Sequence, residues 1–167
     1  MHLMAWPWLL AAAWVALDQA TKLAVVAAIP PHQGVELVPG LLNLVHAHNR
    51  GAAFGLLGQG SGWQVWLFSA VAVGVIAVLV TWLIRLGRSQ PGTRLALALI
   101  LGGAVGNLID RLRLGYVVDF IDVHWRAVYH YPAFNVADSG ITLGAVLLII
   151  ILVREERAAA RSRRNGA

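Results

Sequence analysis

The sequence predicts an all-α polytopic membrane protein: four transmembrane helices with a small β-rich extracytoplasmic segment. Three observations predict it. Of 167 residues, 59% are hydrophobic and 13% charged, against about 25% charged in an ordinary soluble domain, and the mean hydropathy is +0.70. The apolar residues fall into four runs, each near the roughly 20 residues that cross a bilayer as a helix. The basic residues behind the net charge of +5 sit at the ends of those runs, which is the signature of membrane topology and not of a nucleic-acid-binding face.

The first span runs from about Trp6 to Ile29, where Pro30 and Pro31 end it. Its start has the apolar core of a signal peptide, but no Lys or Arg precedes the run, so the positive n-region is missing. Asp18, Gln19 and Lys22 also arrive on one helical face, which suits a retained span. The second, residues 65–84, carries no charge, and "RLGRSQPGTR" follows it. The third covers about residues 95–112 and collects polar residues only near its end, and the fourth covers about 134–153. Together they leave no room for a separate soluble domain, so residues 1–167 form one integral-membrane domain, with 154–167 as a solvated cytoplasmic tail.

Arginine placement orients the spans. Arg85, Arg88 and Arg94 mark the connection between spans two and three, and Arg154, Arg157, Arg161, Arg163 and Arg164 mark the tail. Both belong in the cytoplasm, so both termini lie inside and residues 30–64 and 113–133 lie outside. In the first outer segment a Pro-Gly turn separates two apolar-rich stretches, and Leu42, Leu44, His46 and His48 alternate with their neighbours, as in short strands. The second is rich in β-branched and aromatic residues, with Trp125, Tyr129 and Tyr131 suited to the headgroup level.

Depth singles out the chemistry. At about 1.5 Å per residue, Asp18 and Asn107 each lie about 18 Å from the inner ends of their spans and Asp138 about 22 Å from its own. Three helices therefore bring polar groups to one level, where a charge at the bilayer centre costs about 2.5–3.5 kcal/mol on insertion scales. Asp18 and Lys22 are four apart with the acid first, the favourable order for a helical pair; the pair either fixes the helix or holds substrate. Asn107, Asp110 and Arg111 share a face beside Gly102, Gly103 and Gly106, which permit close approach of a backbone or ligand. They fit a packed Asp–Arg interface or support for a site.

Asp138, three after Asn135, is either the N-cap of span four or a working carboxylate. Asp119 stands among Val117, Val118, Phe120 and Ile121, poor company for a solvated acid. Two such carboxylates from different segments can share one proton, as in aspartic proteases; Asp122 competes for that position. His46-x-His48, with His124 and His130 on the same side of the membrane, is a weak metal signal, and HExxH is absent. With no cysteines, thiolate sites and disulfides are excluded. The glycines of "HNRGAAFGLLGQGSG" lack the GxxxxGK[ST] spacing of a phosphate loop and suit a bending interfacial loop, with Asn49 free to bond a peptide.

In this order, "LDQATK", "HNRGAAFG", "GGAVGNLIDR", "GYVVDFIDV" and "FNVADSGI" resemble bacterial lipoprotein signal peptidase, the type II signal peptidase, from about Leu17 to Ile141. The resemblance implies a membrane aspartic endopeptidase, active without metal or cofactor. It would remove signal peptides from lipid-modified prolipoproteins on the N-terminal side of the diacylglyceryl-cysteine. It implies Asp119 and Asp138 as the catalytic dyad, and Asp18, Lys22, Asn49, Asn107, Asp110, Arg111 and Asn135 as substrate-binding or supporting residues. It further implies a monomer in the bacterial inner membrane, in contact with membrane lipids and not nucleic acid, with its active site near the outer face. The alternative from another class is a small proton-coupled transporter. That reading needs polar residues at several depths, whereas span two is bare and the inner halves of the others lack acids.

Overall fold

The computed structural model describes residues 5–51, 62–87, 90–125 and 128–165. Four helices are long and apolar enough to cross a membrane: α1 (Trp6–Ala28), α2 (Trp63–Arg85), α3 (Pro91–Leu114) and α4 (Val136–Asn165). Between them lie β1 (Gly34–Val38), β2 (Leu42–Asn49), β3 (Val117–Trp125) and β4 (Tyr129–His130), joined in one four-stranded sheet of order β1-β2-β3-β4 with every neighbour antiparallel. The sheet unites the two segments expected outside the spans. Arg88 and most of the glycine loop, from Ala52 to Ser61, lie outside the described residues.

Helix α3 is the hub. It packs against α1, α2 and α4 and buries residues all round, among them Ala96, Leu97, Ala98, Gly103 and Gly106. The other helices turn large apolar side chains outward, such as Trp66, Val71 and Val78 on α2 and Leu143, Val146 and Ile149 on α4. In water such a surface would drive aggregation; in hydrocarbon it is the solvated face, and close packing then decides which faces meet. The glycines of α3 serve that packing. A Cβ on Gly103 would run into the Ala137 carbonyl of α4, and one on Gly106 would lie 2.6 Å from Asp18 Oδ2 of α1. Gly103→Ala is therefore expected to push α3 and α4 apart and destabilise the bundle by about 1–3 kcal/mol, the usual range for overpacking, read as a lower thermal midpoint in detergent.

Two boundaries differ from expectation. The expected span four ends at about residue 153, but α4 runs on as helix through residues 154–165 of the solvated tail, because "REERAAARSRRN" contains good helix formers and no Pro or Gly. Its side chains from Arg154 to Arg164 are exposed, as expected of a solvated segment. Arg94, read as a loop marker, lies buried in the first turn of α3. Its guanidinium donates to the Leu86 and Gly87 carbonyls, satisfying acceptors left over at the end of α2.

Candidate active site

The backbone brings the two candidate carboxylates together by folding back on itself. β3 carries Asp119, and after β4 the chain returns to Phe134, which forms a bridge with Ile121 of β3 through bonds of 2.8 and 3.0 Å. The next residue, Asn135, is fully buried beside Asp119 and starts α4, whose third residue is Asp138.

Asn135, not Asp138, is the helix cap. The Asn135 carbonyl accepts the Ser139 N–H at 3.1 Å, its Oδ1 accepts the Asp138 N–H at 2.9 Å, and its own N–H donates to Asp138 Oδ2 at 3.2 Å. This is the reciprocal pattern of a capping box. The Asn135 Nδ2 faces the other way and donates to Asp119 Oδ1 at 2.7 Å, Asn107 Oδ1 at 3.1 Å and the Val118 carbonyl at 3.3 Å. One amide thus joins the strand acid to the helix that bears the second acid. Asn107 completes the link from α3, donating Nδ2 to Asp138 Oδ1 at 2.7 Å, and Asn49 at the end of β2 donates to Asp119 Oδ2 at 2.9 Å.

Asp119 is 3% exposed. Burial first, and the neighbouring Asp138 charge second, push its pKa up to about 7, against the hydrogen bonds from Asn49 and Asn135. A buried acid beside a second acid is the arrangement in which one proton is held between two carboxyls at neutral pH.

Beneath the carboxylates lies a buried ionic cluster. Lys22 pairs with Asp18 at 2.9 Å and Asp110 at 2.8 Å, all three side chains being 4% exposed or less, and donates to Asn107 Oδ1 at 3.0 Å. Asp18 also accepts the Ala137 N–H at 2.8 Å, and Asp110 accepts the Val118 N–H at 3.1 Å. The expected Asp18–Lys22 pair thus forms; through Asp18 it reaches helix α4, and Asp110 carries the cluster on to strand β3. Removing one member of such a buried pair leaves an uncompensated charge, at a cost of about 3–5 kcal/mol.

Of the two readings open for Asp110 and Arg111, the Asp–Arg pair does not form, because Asp110 turns to Lys22. Arg111 instead donates to the Asn107 carbonyl at 3.4 Å and lies 5.9 Å from the centre of the Phe68 ring. Asp122 faces neither Asn135 nor Asn107. It is buried, accepts from Asn43 at 2.9 Å and contacts His130 at 3.1 Å. Burial pushes its pKa up, but those hydrogen bonds and the His130 and His124 charges outweigh it and hold the carboxyl below its usual range.

Gln19 belongs to the cluster although only its place on the polar face of α1 was readable. Its Nε2 donates to Asp110 at 2.9 Å, Asp18 at 3.2 Å and the Gly106 carbonyl at 3.3 Å. Its position directly after Asp18 was the available signal. His46 and His48 meet through their Nε2 atoms at 3.1 Å, and His48 stacks on Tyr116. Among the described residues, no three histidine or acidic side chains form a metal-binding group.

A cavity of about 380 Å³ opens beside Asp138, lined by Tyr131, Phe134, Ser139, Thr142 and Leu143. It runs from the carboxylate to an apolar side chain on the lipid-facing surface of α4.

A bundle of four membrane-crossing helices, a sheet at one end and a pair of linked acids where they meet define a polytopic membrane protein with an aspartic-type site. Comparison with known proteins makes the class specific. The family profile described as Signal peptidase (SPase) II matches residues 10–154. The lipoprotein signal peptidase of Pseudomonas putida is 50% identical over 93% of this chain and 90% of its own length; that of Pseudomonas aeruginosa PAO1 is 46% identical over 92% and 90%. Two solved structures, each described as a bacterial membrane enzyme, superpose with TM-scores of 0.80 and 0.78 at 32% and 33% identity, covering 93% and 90% of this chain and 92% and 94% of theirs. The chain belongs to the signal peptidase II family. It is a protease and a multi-pass protein of the bacterial inner membrane, and the transporter alternative is set aside.

Proposed function

We propose that the protein cleaves the signal peptide from lipid-modified prolipoproteins on the N-terminal side of the diacylglyceryl-cysteine, with Asp119 and Asp138 as the catalytic dyad. The observation that carries this reading is Asn135, whose Nδ2 donates to Asp119 and whose backbone N–H donates to Asp138 Oδ2, so that one residue ties together carboxylates from different elements.

Asp119, with its pKa near 7, holds the shared proton and donates a hydrogen bond to the scissile carbonyl. Asp138, in the first turn of α4, faces the positive end of the helix dipole and acts as the base, taking a proton from a water molecule as that water attacks the carbonyl carbon. Asp138 then passes that proton to the nitrogen of the scissile bond, the C–N bond of the tetrahedral intermediate breaks, and the signal peptide leaves with a new carboxyl group. Asn49, Asn107 and Asn135 hold the carboxyls, and Asp18, Lys22 and Asp110 anchor the elements that carry them. Arg111, half-buried beside Phe68, lines the approach for substrate. The cavity beside Asp138 suits an apolar flank of the substrate entering from lipid. Residues 1–167 work as one domain, and the protein acts as a monomer.

The test is cleavage of a lipidated precursor by purified protein in detergent. Turnover should survive chelators, and His46→Ala combined with His48→Ala should retain most activity. Turnover lost to a chelator and restored by zinc alone would replace the dyad with a metal mechanism, and failure of a folded preparation to cut would end the peptidase reading.

In the membrane, the arginines place both termini in the cytoplasm, and the sheet and dyad at the outer face. Reporter fusions at Arg88 and after Arg161 should register cytoplasm, and fusions near Gly60 and His124 the outer side. A C-terminus found outside would invert the arrangement and place the site away from translocated substrate.

A further inference from the structure

The first turn of α4 is gripped by two side chains of α1. Asp18 accepts the Ala137 N–H, and Trp14 Nε1 donates to the Val136 carbonyl at 3.0 Å. Trp14 and Asp18 are four residues apart and so lie on one face of α1. Their targets are consecutive and immediately precede Asp138. The two bonds are also complementary, since one satisfies a leftover N–H of the helix start and the other uses a lone pair of a carbonyl that has two. An indole N–H surrounded by hydrocarbon needs an acceptor, and here the acceptor belongs to the turn that carries the candidate base.

The seat of the indole is made by glycines on two other helices. A Cβ on Gly140 of α4 would run into Trp14 Nε1 and lie 2.8 Å from Cε2, and one on Gly102 of α3 would lie 2.9 Å from the Trp14 Cβ. With Asp18 alone, α4 would be held to α1 at one point about which its first turn can swivel. With Trp14 as well, it is held at two.

We propose that Trp14 is a positioning residue for Asp138, fixing the first turn of α4 so that this carboxyl meets Asp119 in register; the proposal rests on the dyad reading above. Because Trp14 touches neither carboxyl, its removal leaves the dyad chemically intact but misplaced. A misplacement of about 1 Å can cost about 10²-fold in rate.

The decisive variant is Trp14→Phe, which keeps an aromatic ring and removes the donor. Measured per folded enzyme on a lipidated precursor, kcat should fall about tenfold with KM within about twofold, the signature of an interaction used in the chemical step. Gly140→Ala, which displaces the indole from the opposite side, should lower kcat similarly while Trp14 is still present. Trp14→Leu combined with Gly140→Ala should be no worse than Gly140→Ala alone, since both remove one contact. Wild-type kcat in Trp14→Phe, a loss that only tracks the folded fraction, or losses that multiply in the double variant would each overturn the proposal. Hydrogen exchange of residues 136–140 judges the grip apart from activity: Trp14→Phe should speed it, and unchanged exchange would refute the grip. Should the wild type itself cut nothing, the peptidase reading fails on its own account while the exchange result still decides whether the grip exists.

Discussion

Asp119→Asn and Asp138→Asn are each expected to reduce cleavage by about 10²- to 10⁴-fold, the range attributable to a positioned acid or base, while the protein still inserts and accumulates. An asparagine keeps the shape of the side chain but replaces one of its two acceptor oxygens with an NH₂ donor, so each variant gives up one of the two hydrogen bonds its carboxyl accepts, while the Asp18–Lys22–Asp110 cluster still holds the fold. What is lost is the ability to exchange a proton. The double variant should be little worse than either single one, because two groups acting as a unit are not additive. Asp122→Asn, whose carboxylate serves Asn43 and His130, is the milder control.

The pH dependence of kcat/KM should be bell-shaped, with macroscopic values that belong to the pair. Asp119 carries its proton below about 7. As pH rises through that value the acid is lost and both carboxyls are charged, so the rate falls. As pH falls further the second carboxyl takes a proton too, no base remains, and the rate falls again. An alkaline limb at the pKa of an ordinary exposed carboxyl would contradict the burial that raises Asp119, and near-normal turnover in either Asn variant would remove that residue from the mechanism.

The second large effect concerns the substrate. A precursor in which serine replaces the cysteine, and which therefore carries no lipid, should be cut poorly or not at all in the same membranes. The candidate dyad sits where helices meet sheet, so a peptide bond reaches it only when both of its flanks are held at that level. The signal peptide's apolar segment holds one flank. Acyl chains hold the other, each buried CH₂ contributing about 0.8 kcal/mol, and the cavity beside Asp138 extends to Leu143 on the lipid side. Equal cleavage of the serine precursor would mean that the enzyme reads peptide alone.

Much of this was legible in the sequence because a bilayer imposes so few solutions. Uninterrupted apolar runs had to be helices, and polar residues at matching depths had to find one another. Lys22 does find Asp18, and Asn107 does find Asp138. The contacts that cross between helices were not legible. Asp18 reaches an N–H 119 positions away, and no local spacing encodes that; it follows from how closely Gly103 and Gly106 let α4 and α1 approach α3. Asn135 was visible as a neighbour of Asp138, but its division of labour, oxygen to the helix and nitrogen to the strand, depends on the bridge at Phe134. Of the two readings open for Asp110, an arginine pair or support for a site, spacing could not choose, because Arg111 is adjacent in sequence whereas the cation Asp110 meets, Lys22, comes from another helix.

The position of Asn135 also bears on how the protein comes into being. Asp119 and its strand are synthesised before α4, and the amide that steadies Asp119 belongs to the residue on which the last span begins. On the dyad reading, the centre lacks one acid and the amide that aligns the other until the start of α4 has left the ribosome and packed against α1 and α3. On that reading the protease is inactive until its last span is seated.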